Sequence, residues 1–522
     1  YLGYSVPNSG KDRTPAWIPE RQLREYFLPP FEDAVDAGVQ TAMVNSGEIN
    51  GIPAHASSFV LEDLLKGQLD FDGLVVSDWM DIRYLHTRHK VAATQKEAVK
   101  IAVNAGVDMS MVPDNYDFFE HLVTLVKEGE VREERIDEAV RRILRVKLQL
   151  GLFEKPMTHY SSYPRFASEA FSRANLRAAE EAITLLKNAG NHLPLDKDSR
   201  VLVTGPAAHS MTALNGGWSY TWQGRQTDRH IEEHHSVLEA VQQEIGAANV
   251  LYAPGSGFQQ ERDIEGAAGM ARDADHIILC LGEDAYCETP GNINDLNLPE
   301  AQQKLARRMA RTGKPLTLVL VEGRPRLISP FESEMDGVVM AYLPGNRGGD
   351  AIANVLFGDV NPSGKLPFSY PRYPNALETY DHKNTQQIGQ SEQTAYNPQY
   401  PFGHGLSYTR FEYSGLQLSD TTMTPEGTIR VEVTVTNAGE RKGKETVMMF
   451  LRDHYASVTP SVKRLKAYEK IELEPGQSRK VEFEIQPEDL MFVGPNNQWI
   501  LEKGAFSVMI SNQKASFILH KS

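Results

Sequence analysis

Two stretches of this chain alternate short apolar runs with segments of helical periodicity, and that alternation restricts the fold more than any other feature. In the first stretch Thr41 to Asn45, Leu74 to Asp78 and Val107 to Val112 read as buried strands. Ala93 to Ala105, Tyr116 to Glu128 and Glu133 to Leu150 read as amphipathic helices between and after them. In the last of these, Ile136, Val140, Ile143, Leu144, Lys147 and Leu148 fall mostly on one face, which is expected to pack on a sheet. In the second stretch Val201 to Thr204, Val250 to Tyr252, His276 to Leu281, Leu316 to Val321 and Gly337 to Tyr342 read as five strands, separated by helices such as Ser236 to Ile245 and Pro299 to Arg311. Their near-continuous Val, Ile and Leu content suits parallel sheets covered on both faces.

Three strands are too few for a closed eight-stranded barrel, and a half barrel leaves unpaired backbone groups along its edges. The expectation is therefore a partial (β/α)8 barrel over 1–159 that starts in mid-domain, its N-terminal half being elsewhere. An α/β sandwich domain with a largely parallel sheet is expected over 160–375, and a polar linker rich in Asn, Gln and Tyr over 376–408. From 409 to 522 the pattern changes to strict alternation, as in Ile429 to Thr436 and Lys480 to Ile485, bounded by turn signals at Asn437-Ala438-Gly439 and Pro475-Gly476. About seven such strands suggest an immunoglobulin-like or fibronectin III-like sandwich.

With 522 residues the chain exceeds one hydrophobic core. Its net charge of -15 argues against a nucleic-acid partner, which requires a basic face. No apolar run approaches the roughly 20 residues that span a bilayer, so no membrane anchoring is expected. The two cysteines, Cys280 and Cys287, are too few for a disulfide scaffold, and two free thiols are favoured over one bridge across a strand-to-loop turn.

The chemistry is concentrated in three places. Gly73-Leu74-Val75-Val76-Ser77-Asp78-Trp79 is an apolar run that ends in a carboxylate followed by an indole. At the carboxyl end of a parallel barrel strand such an acid faces the active-site mouth, although Asp is also a favoured helix N-cap. The second place is Gly282-Glu283-Asp284-Ala285-Tyr286-Cys287-Glu288-Thr289-Pro290-Gly291, which follows a buried strand, where open α/β sheets bind ligands. Glycosidic cleavage uses two carboxyl groups flanking one bond, and Asp78 and Glu288 form such a pair if their domains face one another. The third is Gly216-Gly217-Trp218-Ser219-Tyr220-Thr221-Trp222-Gln223-Gly224, whose indoles offer flat apolar faces to a sugar ring. His86-Thr87-Arg88-His89 lacks a third metal ligand, so no metal site is expected. The glycine-rich Gly345 to Gly349 run could cradle a phosphate at a helix start, although the motifs that surround it favour a domain-packing turn.

These motifs, with Gly345-Asn346-Arg347-Gly348-Gly349-Asp350, Asn361 to Pro367 and Pro401-Phe402-Gly403-His404-Gly405-Leu406-Ser407-Tyr408-Thr409, resemble family 3 glycoside hydrolases in order over essentially the whole chain. The resemblance implies Asp78 as nucleophile and Glu288 as acid/base, with Glu283 the weaker candidate for the second role. It implies substrate contacts from Trp79, Trp218 and Trp222. Ser46 stands where some relatives carry a substrate-contacting tyrosine. A Lys-His pair, an Asp and an Arg that hold the reacting glucose in relatives would lie ahead of Tyr1, and none is in this sequence.

The implied activity is that of a retaining exo-β-glucosidase acting on β-linked gluco-oligosaccharides, with no cofactor. The alternatives are a β-xylosidase or broad exo-glycosidase on the same scaffold, or a non-catalytic carbohydrate-binding fragment. A periplasmic or secreted location and a homodimer are further expectations of the resemblance.

Overall fold

The computed structural model describes residues 1–229, 234–376, 379–387 and 396–520. These divide into two compact units, 1–164 with 492–500, and 165–491 with 501–522.

In the first unit the strand Leu74–Trp79 lies between Thr41–Met43 and Met109–Met111, all parallel. The helices Gln95–Asn104, Asp117–Lys127 and Glu133–Gln149 match the expected ones to within two residues. The first begins where Thr94 accepts a hydrogen bond from the Glu97 amide at 3.1 Å, which satisfies one orphan N–H of the first turn, while the Glu97 carboxylate accepts from the Ala93 amide just ahead of the cap. Its buried residues Ala98, Val99, Ala102 and Val103 recur at helical spacing on the face that meets the core. Two further helical segments, Leu23–Phe27 and Phe59–Gln68, carry Leu23, Val60, Leu61 and Leu64 into the same core. A short antiparallel pair, Phe492–Val493 with Trp499–Ile500, also belongs to this unit, and Arg21 donates to the Val493 carbonyl at 3.2 Å.

One expectation is corrected here. In Glu133–Gln149 the buried residues are Ala139 and Val146, whereas Val140, Leu144 and Leu148 are exposed. The helix is turned by its arginines: Arg135 donates to the Val103 and Val107 carbonyls and to Asp108, and Arg142 donates to the Gly73 carbonyl. Residues 135, 139, 142 and 146 lie on one face, so satisfying the guanidinium groups fixes the rotation that apolar periodicity alone leaves open.

In the second unit a six-stranded sheet runs in the order Thr184–Asn188, Gly337–Met340, Leu316–Val321, His276–Gly282, Val201–Thr204, Val250–Ala253. The five expected strands are parallel, and the sixth, Thr184–Asn188, pairs antiparallel at the edge. This edge strand escapes a pattern search because it is only five residues long and follows directly on the helix Glu169–Ala182. Leu316–Val321 is buried at every position, as a strand covered on both faces requires. One layer of core gathers Val201, Val203, Val319 and Val321 against helices Val237–Ile245 and Gly348–Phe357; the other gathers Leu202, Leu279, Leu318 and Leu320 against Ile264–Met270 and Glu300–Ala310.

The C-terminal part is a β-sandwich, with Phe411–Leu418, Ile429–Asn437 and Ser478–Ile485 in one sheet and Gly443–Asp453, Arg464–Leu473, Gly504–Ile510, Gln513–Leu519 and the short Thr422–Met423 in the other. Ile429, Val431, Val433 and Val435 point inward while the residues between them do not, which is the alternation read from the sequence. The Pro401 to Thr409 motif ties this sandwich to the α/β layer: the Leu406 amide donates to the Leu185 carbonyl at 2.8 Å, Tyr408 donates its hydroxyl to the Val355 carbonyl at 2.7 Å, and Asn361 accepts from the Ser407 hydroxyl and Tyr408 amide.

The strand that carries Asp78 depends on a buried carboxylate. Asp108 accepts from the Val75 amide at 3.0 Å and from Arg135 at 2.7 Å, and its side chain is fully buried. Removing one partner of a buried pair leaves an uncompensated charge. Asp108→Ala is therefore expected to lower stability by about 3–5 kcal/mol, read as a lower denaturation midpoint by chemical unfolding, while Val99→Ala on the nearby helix, a loss of methyl groups alone, costs about 1–2 kcal/mol.

Candidate active site

In the first unit Asp78 stands at the carboxyl end of the central strand and is buried, whereas the Trp79 indole beside it is 56% exposed. The strand end is held by side chains. Ser77 donates its hydroxyl to the Asp78 carbonyl at 2.9 Å and accepts from the Met111 amide at 2.9 Å. The Asp78 amide donates to His55 Nε2 at 3.2 Å. Burial lowers the His55 ring to about 3, so it is neutral at ordinary pH and its Nε2 is an acceptor.

The Asp78 carboxylate is fixed from three directions. Oδ1 accepts from the Trp79 amide at 2.5 Å, Oδ2 accepts from the Tyr1 hydroxyl, and Arg13 Nη2 lies 3.6 Å from Oδ2. The same guanidinium reaches Asp81 Oδ1 at 3.3 Å. Asp81 Oδ2 is buried 3.8 Å from His55 Nδ1 and has no hydrogen-bond partner of good geometry. Ser46 is buried in this neighbourhood; its hydroxyl completes no well-formed hydrogen bond, although its dipole favours the Asp81 carboxylate. Two carboxyl groups therefore share one arginine, and burial, reinforced by the charge of Asp78, pushes Asp81 up to about 7.

In the second unit the loop after His276–Gly282 carries Glu288 in a left-handed backbone conformation, φ 52° and ψ −148°. For a residue with a Cβ this costs about 1–3 kcal/mol and persists only where its surroundings dictate it. The aromatic loop supplies those surroundings. Trp222 Nε1 donates to Glu288 Oε1 at 3.3 Å. The Gln223 side chain pairs reciprocally with the Cys287 backbone, donating to its carbonyl and accepting from its amide, each at 3.2 Å. The Cys287 thiol donates to the Trp222 carbonyl at 3.1 Å, and the Trp218 amide donates to that same carbonyl at 2.8 Å. A Cβ on Gly217 would lie 2.4 Å from the Tyr286 carbonyl, so glycine is required for the two loops to approach. Trp218 is 70% and Trp222 49% exposed, so both residues present part of their surface to solvent.

The structure thus brings Trp222 to Glu288 and Trp79 to Asp78. Glu283, the weaker acid/base candidate, is buried and engaged by Arg324 at 2.9 Å, Arg326 at 2.7 Å and the Tyr286 hydroxyl at 2.9 Å. Cys280 and Cys287 are free thiols. His86 Nδ1 lies 3.0 Å from the Ala92 carbonyl and His89 Nδ1 3.2 Å from Glu48, so the two rings diverge in their partners. The Gly345 to Gly349 turn packs closely, with Arg347 on Asp350 and Ser172. Sequence reasoning missed Arg13, His55, Asp81 and Gln223. Asp81 carries a signal, an acid three residues after Asp78; His55 and Arg13 carry none without the fold.

Asp81 makes stability pH-dependent. Between its ordinary value near 4 and about 7 the folded state retains a proton that the unfolded chain has released, so stability falls as pH rises through that window. In Asp81→Asn this fall is expected to be removed, flattening the pH profile of unfolding free energy by up to about 1.4 kcal/mol per pH unit between pH 4 and 7. Chemical denaturation at a series of pH values measures it.

Residues 1–146 match the glycosyl hydrolase family 3 N terminal domain, 183–408 the glycosyl hydrolase family 3 C-terminal domain, and 445–514 a fibronectin type III-like domain. A lysosomal beta glucosidase of Dictyostelium discoideum is 40% identical over 99% of this chain and 65% of its own length. A periplasmic beta-glucosidase of Salmonella typhimurium is 34% identical over 99% of this chain and 71% of its own. A beta-xylosidase of Formosa agariphila is 35% identical over 98% and 72%. The solved structure of a b-glucosidase from Erythrobacter marinus superposes with a TM-score of 0.92 at 33% identity, covering 99% of this chain and 73% of that one. The chain therefore spans about two thirds to three quarters of the length of these relatives, and it belongs to glycosyl hydrolase family 3.

Proposed function

We propose that this protein is a retaining exo-β-glucosidase that removes terminal non-reducing glucose from β-linked gluco-oligosaccharides. The observation that carries the reading is Asp78, a buried carboxylate held at the carboxyl end of a parallel strand beside an exposed indole, in a chain whose relatives bear the name β-glucosidase. In this mechanism Asp78 attacks the anomeric carbon as the glycosidic bond breaks, and Glu288 donates its proton to the leaving oxygen. Water, giving its proton to Glu288, then attacks the anomeric carbon and expels Asp78, so glucose leaves with its β configuration and Glu288 regains its proton. Trp79, Trp218 and Trp222 stack against sugar C–H faces, and Ser46, whose hydroxyl is buried beside Asp81, acts on the substrate through that carboxylate. The nucleophile then comes from the partial barrel over 1–159 and the acid/base from the α/β domain over 160–375, with a linker over 376–408 and the sandwich over 409–522.

A second reading, β-xylosidase, is favoured by the name of the Formosa agariphila relative. The two sugars differ by the C6 hydroxymethyl group, so hydroxymethyl recognition decides between them. Among the described residues no helix is long and apolar enough to cross a membrane. The periplasmic relative supports a periplasmic or secreted location, and the action on gluco-oligosaccharides proposed above implies a role in breaking down polysaccharide fragments. A homodimer is part of the same proposal.

With full-length protein, aryl β-glucoside is expected to be cleaved at least tenfold faster than aryl β-xyloside, and proton NMR is expected to show β-glucose as the first product. Asp78→Ala and Glu288→Ala are each expected to lose roughly 10²–10⁴-fold in kcat, with azide restoring turnover of an activated glucoside to both, as the inverted α-glucosyl azide in the first and the retained β-glucosyl azide in the second. Inactivity of the unaltered protein toward both sugars would leave a carbohydrate-binding role in place of catalysis.

A further inference from the structure

We propose that Glu283 is a positioning residue which, through Arg324, Arg326 and Tyr286, sets the loop that carries Glu288. The inference rests on the reading of Glu288 as the acid/base. Glu283 sits at the base of the loop, immediately after the strand His276–Gly282, and both of its oxygens are committed. Oε1 accepts from Arg324 Nε at 2.9 Å and from Arg326 Nη1 at 2.7 Å; Oε2 accepts from the Tyr286 hydroxyl at 2.9 Å. A carboxylate so engaged by two guanidinium groups has no oxygen aimed at a substrate, but it is well placed to hold others.

Arg324 spans the loop. Its Nε is on Glu283, its Nη1 donates to the Gly291 carbonyl at 2.8 Å, and its guanidinium carbon lies 4.2 Å from the centre of the Tyr286 ring. One side chain therefore ties the first residue, the middle and the far end of the turn that carries Glu288. The loop closes tightly on that ring, since a Cβ at Gly291 would lie 2.3 Å from Tyr286 Cδ2. Arg326 secures the base of the clamp by donating to the Leu296 and Asn297 carbonyls, and its own amide donates to the buried Glu322 at 3.0 Å. On the opposite side the Gln223 side chain holds the Cys287 backbone. Tyr286 and Cys287, the two residues ahead of Glu288, are thus fixed by separate groups, which accounts for an uncommon left-handed backbone at Glu288.

The clamp makes a prediction that a merely structural role does not. Departure of a poor leaving group needs a proton delivered in the right place, whereas departure of dinitrophenolate does not. In Glu283→Gln, kcat/KM for phenyl β-glucoside is expected to fall by roughly 10²-fold and that for 2,4-dinitrophenyl β-glucoside by less than threefold, with azide accelerating turnover of the latter. Arg324→Lys, which keeps a cation, is expected to show the same pattern more weakly, and it serves if Glu283→Gln does not fold. Equal losses for both leaving groups in folded variants, or none, would overturn the proposal. Glu288→Ala measured alongside separates the two ideas. If Glu288→Ala shows the leaving-group dependence and the clamp variants do not, only the positioning role falls; if Glu288→Ala lacks it, the acid/base reading falls and takes the clamp with it.

Discussion

A parallel strand covered on both faces offers little side-chain chemistry along its length, because every side chain is needed for packing; its carboxyl end is where polar groups can be accommodated. Both acid-bearing strands obey that constraint. Asp78 closes Leu74–Trp79, and Glu283 begins the loop that leads from His276–Gly282 to Glu288. The residues behind them, Val75 in one unit and Leu279 to Leu281 in the other, are buried and apolar. Rigidity of these strands gives each carboxylate a fixed base from which its hydrogen bonds and ion pairs can aim it.

The acids at the two strand ends are nevertheless held in different ways. Around Asp78 the control is electrostatic and local: one arginine is divided between Asp78 and Asp81, and a neutral imidazole accepts the Asp78 amide. Burial leaves Asp81 near the pH at which it exchanges its proton, so the charge facing Arg13 changes across the neutral range. Around Glu288 the control is through backbone geometry. Glu283 is compensated by two guanidinium groups, and those groups act on carbonyls and an aromatic ring of the loop rather than on Glu288 itself.

Much of this was legible in the sequence because periodicity reports packing directly. The five parallel strands, the barrel helices and the alternation of Ile429 to Val435 follow from burial patterns with no long-range information. The orientation of Glu133–Gln149 was not, because Arg135 and Arg142 choose its buried face by finding carbonyls on distant segments, and amphipathicity counts only apolar residues. Thr184–Asn188 was missed because a short edge strand lacks both length and alternation. His55 and Arg13 belong to the Asp78 site through contacts spanning 23 and 65 residues of chain. No local pattern marks residues whose role comes from loop closure at that distance.

The aromatic loop carries a local signal whose cause lies far away in the chain. Flanking glycines suggest a shaped binding loop, since glycine is conformationally permissive. At Gly217 the structural reason is different: the Tyr286 carbonyl occupies the space that a Cβ would fill. Glycine there serves close approach rather than mobility, and the approach is what lets Gln223 pair with the Cys287 backbone and Trp222 reach Glu288. A side chain at 217 must separate two loops whose mutual hydrogen bonds support the left-handed backbone of Glu288. The glycine, the indole and the strained acid are therefore one device, and the sequence displays its parts 71 residues apart without showing that they meet.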